Sequence, residues 1–230
     1  MATAAYDTLL PEIIPMVPGC PDTLIENYIR AAVIELCEKA GVYQAELDPL
    51  TTQAGVYEYD LDAPFGTVVD KILWVTHKGR DLEPISTTLL EQRKPRWRED
   101  GFASTPEYFV KVAQDLIWLV PVPNETVENS TIIRARLKPT HTSTFCESQV
   151  LDDYRDAIIN GTLYRLLRLP SKDWTDYSGA QVYGSLFAQD IVQAERKARH
   201  ADMPISRKVK YGGVHRSSGF TRKKYGSEAS

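Results

Sequence analysis

Residues 150–201 carry two helical periods in succession, with a proline between them. In the first, 150–169, Leu151, Tyr154, Ile158, Leu163, Leu166 and Leu167 put apolar groups around more than half of the helix circumference. A surface helix needs only one stripe, so this helix belongs in the middle, with neighbours on at least two sides. Ala157 and Gly161 stand four apart on one face. Glycine costs about 1 kcal/mol of helix propensity against alanine, which argues for a close helix contact there. Pro170 ends the helix, because proline disfavours the helical region for the residue before it. After a link plugged by Trp174, a second helix opens at Asp176 or Ser178, either of which can cap free amides. Its stripe is Ala180, Tyr183, Phe187, Ile191, Ala194, Ala198 and Ala201. Those three- and four-residue steps are the spacing of one helical face. Arg196, Lys197 and Arg199 close it, where positive charge suits the helix dipole.

Upstream, 7–17 reads as a short helix capped by Asp7 or Thr8, with Leu9, Leu10, Ile13, Ile14 and Val17 as its apolar face. Pro21 suits the first turn of a longer helix. Leu24, Ile25, Tyr28, Ile29, Ala32, Val33, Leu36 and Cys37 recur along it, and Gly41 ends it. From 43 to 139 the period falls to two. Residues 50–53 and 56–61 read as a hairpin across Ala54-Gly55, with Tyr57 and Tyr59 on one face. Residues 68–77 and 80–84 form a second hairpin across Lys78-Gly79. Ser86 caps a short helix that Pro95 stops. Residues 108–112 and 116–120 form a third hairpin, and 131–137 a further strand in which Arg134 and Arg136 alternate with Ile133, Ala135 and Leu137. The first and last helices are too short to bury their faces alone. The expected fold class is therefore α+β. A small helical bundle (1–42 and 148–202) would carry an inserted antiparallel β-sandwich-like domain (43–147) and an extended basic C-terminal arm (203–230).

The formal net charge of −4 says little until it is divided. Residues 203–230 hold seven Lys/Arg and one acidic side chain, a net of +6, which leaves −10 for residues 1–202. Such asymmetry implies that the arm has a partner of its own. Its Arg207, Lys208, Lys210, Arg216, Arg222, Lys223 and Lys224 are interleaved with Val209, Tyr211, Phe220 and Tyr225. That composition does not fold in isolation. Three readings stand: a solvated tail, a docking arm whose apolar residues anchor it to a protein, and a nucleic-acid arm using phosphate contacts and stacking.

Catalytic patterns are missing. There is no phosphate-cradling loop, no zinc-binding histidine pair and no Gly-x-Ser-x-Gly elbow. His77, beside a hairpin turn, reads as a surface strand residue. Asp152, Asp153 and Asp156 are placed where a helix start favours acids; a cation site is the other reading. Cys20, Cys37 and Cys146 have no paired spacing, so buried, reduced thiols are expected, with no disulfide framework and no zinc. Neither a secretory signal nor a long apolar run is present, so synthesis in a host cytoplasm is expected, with no membrane contact. No cofactor and no enzymatic activity are expected.

Several segments together resemble the head-to-tail adaptor proteins of tailed bacteriophages, of the tail tubular protein A type. They are Tyr6-Asp-Thr-Leu-Leu-Pro-Glu, Pro18-Gly-Cys-Pro-Asp, Ile29-Arg-Ala-Ala-Val-Ile-Glu-Leu-Cys, Ala54-Gly-Val-Tyr-Glu-Tyr-Asp-Leu, Leu137-Lys-Pro-Thr, Ala157-Ile-Ile-Asn-Gly-Thr-Leu-Tyr-Arg-Leu, the Trp174-Thr-Asp link and residues 187–199. Their order and spacing carry the resemblance. It implies a virion protein of the tail or neck, in a ring of twelve copies seated beneath the portal protein. The ring would continue the channel for packaged DNA and receive the tail nozzle or next tail protein. It also implies that the arm reaches the portal, through Arg207, Lys208, Val209, Lys210, Tyr211, Arg216, Phe220, Arg222, Lys223 and Tyr225. An acidic body suits a DNA conduit, because a negative wall repels phosphate and lets the duplex slide. A nucleic-acid-binding protein acting through the arm, and a nozzle or head-completion protein, are the alternatives.

Overall fold

The structure, a computed structural model, describes residues 2–98 and 105–200. The chain starts with strand β1 (Thr3–Ala5) and a short turn-rich segment: a 3-10 turn (Tyr6–Leu9), helix α1 (Leu10–Ile13) and a second 3-10 turn (Ile14–Met16). The expected single helix is thus broken into tight pieces, with Pro11 and Pro15 in its turns. Neither Asp7 nor Thr8 caps it. Ala5 holds the cap position, and the Thr8 hydroxyl donates backwards to its carbonyl at 2.8 Å. Leu9, Ile13 and Val17 are buried as expected, whereas Ile14 is exposed. Helix α2 (Asp22–Ala40) follows, with Pro21 one place earlier than expected, at the N-cap. Gly41 ends it at φ 65°, and its N–H donates to the Cys37 carbonyl at 3.0 Å. A Cβ on Gly41 would stand 2.5 Å from Arg136 Cζ. That guanidinium is there because it donates to the Glu38 carbonyl (2.6 Å) and the Cys37 carbonyl (3.2 Å), satisfying the open end of the helix.

The chain as a whole is α+β, as expected, and its middle is mostly antiparallel sheet. Its strands are β2 (Gln44–Glu46), β3 (Leu50–Thr52), β4 (Glu58–Asp60), β5 (Thr67–His77), β6 (Arg80–Asp81), β7 (Glu83–Pro84), β8 (Tyr108–Lys111), β9 (Leu116–Val120), β10 (Val127–Pro139) and β11 (Phe145–Glu147). Helix α3 (Thr87–Arg93) lies between β7 and β8, with Ser86 accepting from the Leu89 N–H at 3.3 Å as its cap. β10 is the spine of one sheet. It pairs β5 on one side and β2 and β3 on the other, and β6 extends beyond β5. Its Ile133, Ala135 and Leu137 are fully buried. The second sheet runs β4-β9-β8-β7, with β7 parallel to β8. Lys111 on β8 ties the two sheets, donating to the carbonyls of Val69 (2.8 Å) and Asp70 (2.5 Å) on β5.

Two hairpin expectations fail in an instructive way. The turn at Ala54-Gly55 exists, with Gly55 at φ 82°. Yet β3 pairs β10 and β4 pairs β9, so the turn joins two sheets. Tyr57 and Tyr59 part company with it. Tyr59 enters the main core, while Tyr57 packs edge-on against Trp97 and Trp118 in a smaller cluster under α3. The Lys78-Gly79 hairpin forms, with strand pairing through Asp81 and one more bond from the Leu82 N–H to the Val75 carbonyl at 2.9 Å; Glu83 and Pro84 go to the second sheet. The 108–120 hairpin forms as expected.

The last helices are α4 (Ser148–Asp153), α5 (Arg155–Leu166) and α6 (Tyr177–His200). The expected helix 150–169 is therefore two, broken at Tyr154 (φ −120°, ψ 27°). The reason is packing: α4 lies against β1 and β11, while α5 turns away to pack on α2 and α6. β1 pairs β11, which ties the start of the chain to the strand that leads into α4. Asp176 caps α6, its Oδ1 accepting from the N–H groups of Ser178 and Gly179, both at 3.0 Å. One continuous core runs from Leu9, Ile25 and Ile29 through Leu151, Ile158 and Leu166 to Ile133 and Leu137.

Candidate assembly surface

Helix α6 is buried on one face by the stripe expected of it. Ala180, Phe187 and Ala194 are buried, and Tyr183 and Ile191 pack partly. Its partner is α5. A Cβ on Gly161 would come within 2.8 Å of the Phe187 ring, and a Cβ on Gly184 within 2.7 Å of the Tyr164 ring. Each helix thus removes a side chain to admit the other's aromatic ring. Arg165 seals the seam: it pairs with Glu35 on α2, stacks over Phe187 at 5.4 Å, and donates to the Gly161 carbonyl at 2.5 Å. Asn160 donates across the seam to Asp190 at 2.9 Å.

The opposite face of α6 is unusual for a helix side turned to solvent. Between Tyr177 and Ala194 the helix has one charged residue, Asp190, and Asn160 holds it at the seam. The exposed positions from Tyr177 to Gln193 are Tyr177, Ser178, Gln181, Val182, Ser185, Leu186, Ala188, Gln189, Val192 and Gln193. Val182 is 58% exposed, Leu186 39% and Val192 45%. A solvated face ordinarily carries charge. Surfaces that meet other proteins lose Lys, Glu and Asp at their centre, and clustered exposed apolar groups mark such sites. Beyond Ala194 charge returns with Glu195, Arg196, Lys197 and Arg199.

His77 is not on the surface: it is 2% exposed, with Nδ1 2.9 Å from the Thr131 hydroxyl. Burial in the strand pair lowers its pKa, and the charge of Lys78 adds to that. Asp152, Asp153 and Asp156 edge an open cavity of about 450 Å³ with Arg155 and Lys197. Among the described residues no group of three or more His, Cys, Asp or Glu could hold a metal ion. The three cysteines are free and buried, as expected. Burial pushes the Cys146 thiol up to about 12 and the Cys37 thiol well above its usual value, so neither is a nucleophile at neutral pH. Trp174 packs partly against the core, as its role of plug requires. No helix among the described residues is long and apolar enough to cross a membrane. The ten arm residues expected to bind a partner, from Arg207 to Tyr225, lie outside the described residues.

The uncharged outward face of α6 is a surface of the kind that meets other proteins. Residues 4–208 match the SU10 adaptor protein family, and the chain belongs to that family. It is a bacteriophage adaptor family, which makes this chain a structural protein working among other phage structural proteins. A comparison with curated proteins found no match.

Proposed function

We propose that the chain is the head-to-tail adaptor of a tailed phage, of the tail tubular protein A type. Copies form a closed ring of twelve beneath the portal, continue the DNA channel and receive the next tail protein. The helical parts (1–42 and 148–202) build the ring, the β part (43–147) projects from it, and the arm (203–230) engages the portal through Arg207 to Tyr225. The observation that carries this reading is the charge-free outward face of α6, which suits contact with a second copy. A cyclic ring repeats one heterologous contact until it closes, and that face supplies one side of the contact. The −10 carried by residues 1–202 favours a wall along which DNA slides.

The test is a double variant, Val182→Glu with Leu186→Glu. Both side chains are exposed, so the chain should stay folded by circular dichroism. It should fail to form rings on purified DNA-filled heads, because each contact would bury two carboxylates that have no partner. Rings of unchanged stoichiometry with the double variant would remove α6 from the interface.

A further inference from the structure

A second surface belongs to no role described so far. It is a groove of about 570 Å³ between the β1–β11 pair and the start of the β10 sheet. Glu46, Asp48, Asp62 and Glu147 line it, and among the described residues no Lys or Arg forms an ion pair with any of them. Its apolar rim is Phe65, 89% exposed, stacked at 5.9 Å on Phe145. β2 and β11 each pair on one side only, so each offers an unpaired edge. Four carboxylates, an exposed aromatic ring and open strand edges suit one kind of ligand: an extended basic peptide with apolar anchors.

The chain carries such a peptide. After Arg207, Lys208-Val209-Lys210-Tyr211 alternates cation and apolar residue with the period of a strand. Its origin lies close by. Lys197 and Ala198, near the end of α6, line a neighbouring cavity of about 270 Å³ whose other wall includes Gln44 and Glu147, and Glu147 also belongs to the acidic groove. Six residues lie between His200, where α6 ends, and Arg207, and the seven steps span ~23 Å when extended. We infer that in the free subunit the arm docks in its own acidic groove, with Lys208 and Lys210 toward the carboxylates and Val209 and Tyr211 against the Phe65–Phe145 rim. The same residues cannot serve the groove and another partner at once, so the groove holds the arm until a competing surface takes it. This concerns the free subunit, and it stands or falls apart from the portal reading.

The experiment uses the full-length protein, with the photo-crosslinking residue p-benzoylphenylalanine in place of the exposed Phe65. Irradiation should join position 65 to residues 204–225 of the same chain, in the monomer band, and the yield should drop in high salt. Crosslinks between copies, or none to that segment, would overturn the proposal. In parallel, Glu46→Gln, Asp48→Asn and Asp62→Asn combined should speed trypsin cleavage after Arg207, Lys208 and Lys210 several-fold. All three side chains are exposed, so the fold does not depend on them. Equal cleavage rates in parent and variant would also overturn it.

Discussion

His77 shows how far one residue's surroundings depend on a distant part of the chain. In the sequence it is the last residue before a hairpin turn, a position usually open to water. In the fold it stands opposite Thr131 on β10, and that pairing buries it. No local pattern around residue 77 announces the partner 54 residues away. The consequence is acid sensitivity. Burial lowers the imidazole pKa below its ordinary 6.5, so the unfolded chain binds the proton more readily than the folded one. The stability contributed by the neutral ring is full above the ordinary histidine pKa and is lost as pH falls toward the lowered folded value. His77→Gln, which can still hydrogen-bond to Thr131, should flatten the urea midpoint between about pH 7 and pH 5. An unchanged pH slope would place the sensitivity elsewhere. Gly41 is the opposite case. A glycine closing a long apolar period was legible, and its φ of 65° is what that position demands.

Among elements, the α5–α6 seam was half legible. A glycine inside a helical period called for a packing reason, and the Phe187 ring supplies it. The reciprocal contact of Gly184 with Tyr164 carries the same local signal, a glycine inside a helical period. Gly161→Ala should lower stability by ~1–3 kcal/mol through overpacking, although alanine is the better helix former. Phe187→Leu in the same chain should restore part of that loss, because the two sites share one contact. Urea denaturation of the four chains measures it, and a single variant as stable as the parent would show that the seam yields. What was not legible follows a common rule. A turn residue tells where the chain reverses, and says nothing about which strand it meets next, so the Ala54-Gly55 turn joins two sheets. The break at Tyr154 was hidden likewise, because its cause is the docking of α4 on β1 and β11. The outward face of α6 was open to view in the sequence as a run with one charge.

At the scale of the whole molecule, charge is divided by position in the chain, and that division was fully legible: +6 in residues 203–230 and −10 in the rest. The acidic groove was not, since Glu46, Asp62 and Glu147 come from separate segments that only the fold brings together. Deleting residues 207–230 should leave the melting temperature of the subunit within a few degrees of the parent, because the described residues build a continuous core among themselves. The same deletion should abolish attachment to DNA-filled heads, counted by electron microscopy as particles without tails. Normal tailing by the truncated chain would rule out the arm as the portal contact. The central claim is tested most directly by a symmetry-resolved reconstruction of the intact phage particle. The account predicts this chain as a closed ring between portal and tail, with Val182 and Leu186 of α6 buried against the adjacent copy. A chain found outside the neck, or a ring in which that face of α6 looks onto solvent, would contradict it.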